Sequence, residues 1–291
     1  MSAQLYRAAW GAVGEGPHFG WDNLLDFTRD MAAEGYSGVE FPFTFFDNPT
    51  LSPAGTEEQF RDLLAETGMG FVPLIATLPE RWGDYDGHLE LFKKLVKRAA
   101  DWGAIKASVH TGADSMDDDT VVRYYTETTA IARDAGIEPY YETHRARPFY
   151  NPWRTVQLLE RLPDIWLTAD FAHWLPVVDR LPYDLEELFK ICAARTGHLH
   201  ARIGHEKGPQ VPDPRDPIWD KHTELHEQWW DWCVAGARER SESMIIVPEF
   251  GPWPYLDHVP FTHEPVANVK DVVAWMRDRL VSRYSVGLRS Q

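Results

Sequence analysis

The chain has 291 residues, a formal net charge of −16 at pH 7 and 44% hydrophobic residues, which is an ordinary globular composition. The acidic balance argues against general binding to the phosphate backbone of nucleic acids. No stretch approaches the roughly 20 apolar residues of a membrane span, and the first 16 residues lack the basic-then-apolar layout of a signal peptide. Cys192 and Cys233 are the only two cysteines, which excludes a disulfide framework, and we expect a cytoplasmic protein.

Short apolar runs alternate with amphipathic stretches along the chain, a pattern that predicts strand–helix units and a parallel sheet. The predicted strands are residues 5–10, 38–41, 71–76, 105–110, 137–142, 165–170, 198–203 and 244–249. The predicted helices are residues 21–34, 56–67, 87–102, 118–135, 153–161, 185–195, 220–240 and 265–283.

Eight strand–helix units in about 250 residues or slightly more are typical of a closed (β/α)8 barrel, and we predict a single TIM-barrel domain over residues 1–291. Glycines between helices and the following apolar runs support the helix ends, because glycine accepts the left-handed backbone there. These are Gly35, Gly68, Gly103, Gly136 and Gly197. An open doubly wound sheet is the alternative, but residues 11–16 lack the spacing of its glycine-rich phosphate fingerprint.

Two predicted connections are long and rich in proline and aromatic residues: 204–217 after strand seven and 251–264 after strand eight. Long connections of a barrel usually cover an active site. Packing of the barrel rim or a homo-oligomer interface is the alternative use of these segments.

Chemistry in such barrels takes place at the C-terminal ends of the strands. The predicted ends carry Trp10, Glu40, Thr77, His110, Glu142, Asp170, His200 and Glu249. The last four are ionisable and three are acidic, so their convergence at a narrow mouth is costly without a cation. Three carboxylates and one imidazole suit Mn²⁺, Mg²⁺ or Co²⁺. Capping of the following helix is the alternative role for any single carboxylate.

Five motifs lie at these strand ends: GYSGVEF (35–41), YETH (141–144), TADFAHW (168–174), HLHAR (198–202) and VPEFGP (247–252). In their order and placement the chain resembles the xylose isomerase-like barrel superfamily, which contains sugar isomerases and epimerases, inosose dehydratase and endonuclease IV. Resemblance to its ketose 3-epimerase branch implies that Glu142, Asp170, His200 and Glu249 bind the metal and that His173 contacts substrate. Arg202 lies closer to His200 than the substrate-binding arginine of that branch does, and the two long connections also depart from it.

A cation that holds a substrate carbonyl and the neighbouring hydroxyl stabilises an enediolate. Glu142 and Glu249 would approach from different sides as catalytic base and acid. We therefore predict an isomerase or epimerase that uses a divalent metal, with Mn²⁺ as first choice, and acts on a small carbohydrate. Epimerisation, aldose–ketose isomerisation and loss of a β-substituent all stay open.

Further residues near the mouth are candidate substrate contacts. His173 can donate to a substrate oxygen and Arg202 can neutralise an enediolate or a substrate anion. Their alternatives are a buried histidine bonded to the backbone and an arginine paired with a glutamate. The other candidates are His144, His110 and Glu40, together with Trp10, Trp174 and Trp253, whose rings can stack on a sugar.

Three competing functions use the same barrel. A metal-dependent lyase or dehydratase acting on a keto-sugar or inosose would keep the ligands and change the leaving group. A nuclease like endonuclease IV would need several metals and more histidines on the early strands, whereas strand three ends without one. The third is a noncatalytic sugar-binding barrel. We expect neither nucleic acid nor a membrane as a partner.

Overall fold

The computed structural model describes residues 3–14, 19–50, 55–286 and 288. Within these ranges eight strands form a closed parallel barrel in the order of the sequence, with the last strand paired to the first. The single (β/α)8 barrel predicted from the sequence is thereby confirmed. The strands are β1 (Gln4–Ala8), β2 (Gly38–Pro42), β3 (Gly70–Ala76), β4 (Lys106–His110), β5 (Glu138–Glu142), β6 (Trp166–Ala169), β7 (Thr196–Ala201) and β8 (Ile245–Pro248).

Helices surround the barrel and connect successive strands. They are α1 (Leu24–Ala33), α2 (Thr44–Asp47), α3 (Thr56–Thr67), α4 (Tyr85–Asp101), α5 (Asp118–Asp134), α6 (Pro152–Arg161), α7 (Leu175–Val178), α8 (Glu186–Ala193), α9 (Asp220–Glu239) and α10 (Val269–Tyr284). Short 3₁₀ helices occupy Phe171–Trp174, Tyr183–Leu185 and Pro217–Trp219. None of the helices in the described ranges combines the length and apolar character that crossing a bilayer requires. Residues 1–2, 15–18, 51–54, 287 and 289–291 lie outside the described ranges, and a single domain over 1–291 stays a prediction.

Side-chain caps fix where several helices begin. In each case an oxygen of the residue before the helix accepts a hydrogen bond from the backbone N–H three residues later, which is worth about 1 kcal/mol. These caps are Asn23, Asp117, Asn151 and Asn268. At the opposite ends, Gly103 and Gly136 adopt φ values of +78° and +80°, as the sequence predicts for helix-ending glycines.

Gly197 was expected to end a helix, but it lies inside β7, so this prediction is wrong. A Cβ at this position would come within 2.3 Å of Tyr140 Cε1. The ring of Tyr6 approaches Gly38 and Gly70 in the same way on the far side of the barrel. Glycines in the strands therefore make room for tyrosine rings inside the narrow barrel.

A histidine on α9 positions the chain just after β7. His226 is fully buried; its Nδ1–H donates to the carbonyl oxygen of His222 at 2.7 Å, and its Nε2 accepts from the Gly204 N–H at 3.1 Å. Burial lowers the pKa of His226 to about 3, so the ring is neutral at pH 7. The neutral ring thus anchors the start of the 204–217 connection.

Candidate metal centre at the barrel mouth

The four predicted metal ligands converge at the C-terminal ends of neighbouring strands. Glu142 ends β5, Asp170 directly follows β6, His200 lies in β7 and Glu249 directly follows β8. Each is buried, with at most 7% of its surface exposed. One ligand atom each from Glu142, Asp170 and His200 lie within 4.8 Å of one another, and Glu249 Oε2 lies 3.1 Å from His200 Nδ1. The structure therefore brings the whole predicted set together.

Two buried atoms of this cluster have no hydrogen-bond partner in the described part of the chain. His200 Nδ1 and Glu249 Oε2 lie 3.1 Å apart, but their orientation does not make a hydrogen bond. Glu142 Oε2 lies 3.4 Å from the same Nδ1. Buried polar atoms are almost always partnered, so these two atoms are suited to a partner that is brought in from outside. Carboxylate oxygens and an imidazole nitrogen are a donor set for a divalent cation, and the residues fit such an ion.

Glu40 on β2 lies behind His200, with only 2% of its surface exposed. Its Oε1 lies 3.0 Å from His200 Nε2, and its Oε2 lies 3.3 Å from Nε2 of His198, which sits deeper in the barrel. Because Glu40 accepts from Nε2–H, a cation that displaces the proton from Nδ1 would leave His200 neutral, with the Nδ1 lone pair directed at the ion. From this position Glu40 can orient a metal-ligating histidine, which is one of the two roles, beside substrate contact, that the sequence indicates for it.

The centre holds more negative than positive charge. Burial disfavours charge on His200, but Glu40, Glu249 and Glu142 outweigh it and raise the His200 pKa well above its usual range. Burial raises the pKa of Asp170 against the pull of Arg202. For Glu249, burial is outweighed by Arg202 and His200, and its pKa is lowered. A divalent cation would supply the missing positive charge.

Arg202 and His173 border the centre and contact each other. Arg202 Nη2 donates to Asp170 Oδ2 and, at 2.9 Å, to His173 Nε2, and it lies 3.7 Å from Glu249 Oε2. A guanidinium only donates, so His173 Nε2 accepts and the His173 proton lies on Nδ1. Burial and then the charges of His144 and Arg202 hold the His173 pKa well below its usual range. His173 therefore presents a neutral N–H donor.

His110 and His144 lie on the β4–β5 side of the mouth. His110 Nε2 contacts Glu142 Oε2, and ligand atoms of His110, Glu142 and His144 also lie within 4.8 Å of one another. The His144 ring packs against that of His173, tilted by 45° with centroids 3.8 Å apart, and its Nδ1 donates to the carbonyl oxygen of Arg145. Burial lowers the pKa of His144 to about 3. Three neutral imidazoles thus form a row beside Glu142.

The three candidate tryptophans differ in position. Trp10 lies at the mouth, with the Arg202 guanidinium 5.7 Å from its ring, and Trp253 is 62% exposed. Both line an open cavity of about 650 Å³. Trp174 is fully buried against Phe171 and donates from Nε1 to the Phe149 carbonyl oxygen at 2.9 Å. An enclosed ring offers no face to a sugar, so the stacking role predicted for Trp174 is corrected to a core position.

Two residues of the long connections, Tyr255 and Gln210, lie at the mouth but were not identified from the sequence. Tyr255 packs edge-on against Trp10 at 5.1 Å and lies under two guanidinium groups, those of Arg202 at 4.9 Å and Arg145 at 5.4 Å. Gln210 joins the two connections, donating to the Gly251 carbonyl oxygen at 2.9 Å and accepting from its N–H at 2.7 Å. Only the length of these segments signalled their place at the mouth.

A family model matches the sequence of this chain, and solved TIM-barrel structures superpose on its fold. The sequence model of the xylose isomerase-like TIM barrel family matches residues 28–279. D-allulose 3-epimerase from Methylomonas sp., solved with D-allulose, superposes with a TM-score of 0.62 at 13% identity over 97% of this chain and 98% of that chain. A probable 3-DHS dehydratase of petrobactin synthesis from Bacillus anthracis gives 0.60 at 13% identity, covering 96% and 99%. IolI protein with a bound zinc atom gives 0.59 at 14% identity, covering 97% and 99%.

A match to a curated protein covers a much smaller part of this chain than these structures do. The DNA helicase/primase complex-associated protein of Bovine herpesvirus 1.1 (strain Cooper) is 31% identical over 142 residues, which is 48% of this chain. The matched part spans only 16% of that viral protein, so its role is not transferred to this chain.

Proposed function

Because the chain belongs to the family of xylose isomerase-like TIM barrels, we propose that it is a divalent-metal-dependent isomerase or epimerase acting on a keto-sugar or related polyol. The observation that supports this most is the convergence of Glu142, Asp170, His200 and Glu249, with unpartnered His200 Nδ1 and Glu249 Oε2. The neutral His173 beside these carboxylates adds a hydrogen-bond donor, its Nδ1–H, at the same mouth.

In this proposal Glu142, Asp170, His200 and Glu249 hold the ion. A divalent cation held by these side chains would supply a Lewis acid that polarises a substrate carbonyl and offsets the negative charge developing on its oxygen. We take Mn²⁺ as first choice, with Mg²⁺ or Co²⁺ as alternatives, because oxygen ligands dominate the set.

The chain's own residues then move the proton. A carboxylate oxygen of Glu142 or Glu249 removes the proton next to the carbonyl, and the other carboxylate returns it from the opposite side. His173 donates its Nδ1–H to a substrate oxygen, while Arg202 holds Asp170 in place through Nη2. Return of the proton on the opposite face gives an epimer; transfer along one face to the neighbouring carbon gives an isomer.

The proposal also covers partners and location. The substrate is a small carbohydrate, and the net charge of −16 disfavours a nucleic acid. Two free, buried cysteines are compatible with the cytoplasm. Exposed aromatic side chains on the 251–264 connection, such as Phe261 at 97% exposure, offer a surface for homo-oligomerisation.

Deuterium uptake tests the proposed reaction. Ketoses, aldoses, keto-sugars and inososes are incubated with Mn²⁺-loaded protein in D₂O and followed by NMR. The proposal expects deuterium at the carbon next to the carbonyl in at least one compound, lost with Glu249→Gln and with chelator. Substrate that binds without any exchange would identify a noncatalytic sugar-binding barrel and reject the proposal.

A metal-dependent lyase or dehydratase is the second candidate. His173 favours it, because its free Nδ1–H can donate a hydrogen bond to a departing hydroxyl while the carboxyl group that has taken up the proton next to the carbonyl protonates that hydroxyl. Product mass separates the two functions, since isomerisation conserves mass and dehydration removes one water. An endonuclease IV-like function ranks below both; efficient incision of an abasic duplex by purified protein would reverse that order.

A further inference from the structure

The mouth of the barrel holds buried hydrogen-bond donors that the protein does not satisfy. Arg202 Nε and Nη1 and His173 Nδ1 have no partner in the described part of the chain. Arg202 is 2% exposed and His173 is fully buried. Because buried donors are almost always partnered, these groups are suited to an acceptor brought in from outside.

Arg202 cannot satisfy these donors with the carboxylates around it. Its Nη2 already contacts Asp170 and His173, and Glu249 Oε2 lies 3.7 Å from the same Nη2. The unused Nε and Nη1 are two of the five donors of the guanidinium fork. Because the guanidinium is charged, each of these N–H groups binds an anionic oxygen of a carboxylate or a phosphate more strongly than a neutral hydroxyl.

A second guanidinium near the same position has no counter-charge. Arg145, on the connection after β5, lies 5.4 Å from the centroid of the Tyr255 ring, and Arg202 lies 4.9 Å from it. Within residues 3–14, 19–50, 55–286 and 288, Arg145 forms no ion pair. The other arginine that contacts this ring, Arg202, is paired with Asp170. Two like charges over one ring repel unless an anion lies close to both.

We infer that the substrate carries an anionic oxygen group, a carboxylate or a phosphate, which Arg202 and Arg145 bind beside Tyr255. This inference rests on the proposed function and narrows its substrate class from neutral keto-sugars to sugar acids or sugar phosphates. The open cavity lined by Trp10, Trp253 and Tyr255 adjoins the same ring and gives the charged end of a ligand access from solvent.

The test compares ligands that differ in charge on Mn²⁺-loaded protein. Affinities are measured by calorimetry for neutral ketoses, for keto-sugar acids and for ketose phosphates. The inference expects one anionic set to bind at least about tenfold more tightly than the neutral set, as for loss of a charge-assisted hydrogen bond. The acid and phosphate arms show which group is recognised.

Arg145→Gln is the informative variant, because Arg145 lies on a connection and ligates nothing in the centre. It should remove most of the preference for anions and leave the affinity for neutral ketoses unchanged. Arg61→Gln is a matched control, since Arg61 is exposed and lies 5.6 Å from the ring of Trp102, on the outside of the barrel. Both variants are checked by thermal unfolding and metal content.

Equal affinities for neutral and anionic sugars, or an Arg145→Gln effect that is the same for both, would overturn the inference. Proton exchange that is equally efficient with neutral ketoses and with their anionic counterparts would overturn it while supporting the proposed function. Tight anion binding without proton exchange would instead support the inference and count against the proposed reaction.

Discussion

Replacing Glu40 by glutamine should weaken metal binding without removing it. Glu40 is buried behind His200 and faces two imidazole nitrogens, Nε2 of His200 at 3.0 Å and Nε2 of His198 at 3.3 Å. Glutamine keeps the shape of the side chain but loses the negative charge. The His200 ring then becomes a weaker base, and its orientation is less strongly held.

The expected size of the effect follows from that contact. Loss of a carboxylate that supports a metal-ligating histidine typically costs 10–100-fold in metal affinity, or about 1.4 to 2.8 kcal/mol. Mn²⁺ titration of chelator-treated protein, by calorimetry or by the EPR signal of free Mn²⁺, measures this difference. Glu66→Gln, an exposed position on α3, is the control and should bind Mn²⁺ like the wild type.

Two results would refute this reasoning. Unchanged affinity in Glu40→Gln would show that the Glu40–His200 contact does not orient the ligand. A loss as complete as that in His200→Ala would show that Glu40 binds the ion itself. Thermal unfolding of the metal-free variants identifies any general loss of structure.

Three further predictions concern the centre and the fold. Asp170→Ala and His200→Ala should lose bound metal in elemental analysis, whereas His173→Ala should keep metal and lose turnover; equal metal loss in all three would contradict the assigned roles. Burial lowers the pKa of His226 from its ordinary 6.5 to about 3. Its contribution should therefore lower the free energy of unfolding by about 1.4 kcal/mol per pH unit as the pH falls from 6.5 towards 3. Denaturant titrations should therefore show a shallower acid dependence in His226→Phe, and an unchanged slope would reject this account. Trp174→Ala should destabilise the fold by about 3 to 5 kcal/mol while leaving Mn²⁺ affinity within twofold, since the ring fills the core; a large affinity change would place it at the site.

The barrel was predictable because its strands carry a strong local signal. Each strand is a short apolar run followed by an amphipathic helix, and the helix Thr56–Thr67 agrees at both ends. The convergence of Glu142, Asp170, His200 and Glu249 followed from the same pattern, since the ends of parallel strands meet at one face of a barrel.

Side-chain direction after a strand was harder to predict. The chain turns into a 3₁₀ helix at Phe171–Trp174, directly after Asp170. His173 returns to the side of Asp170, whereas Trp174 points into the outer layer against Phe189. Sequence distance from a strand end alone therefore does not separate a residue at the mouth from a residue of the core.

Contacts made by the long connections had no sequence signal. Tyr255 reaches Arg202 and Arg145 through the path of the 251–264 segment, and that path depends on tertiary contacts such as the Gln210–Gly251 pair. Such segments have no hydrophobic periodicity that would fix the direction of a side chain. The residues proposed to select the substrate are therefore the ones that only the structure brings together.

Anomalous X-ray scattering from crystals grown with Mn²⁺ tests the central claim most directly. The account predicts a manganese peak bonded to Glu142, Asp170, His200 Nδ1 and Glu249; an additional peak at His110 and His144 would add a second ion. A fully loaded crystal with no peak among those four side chains, or with manganese bound only elsewhere, would contradict the account.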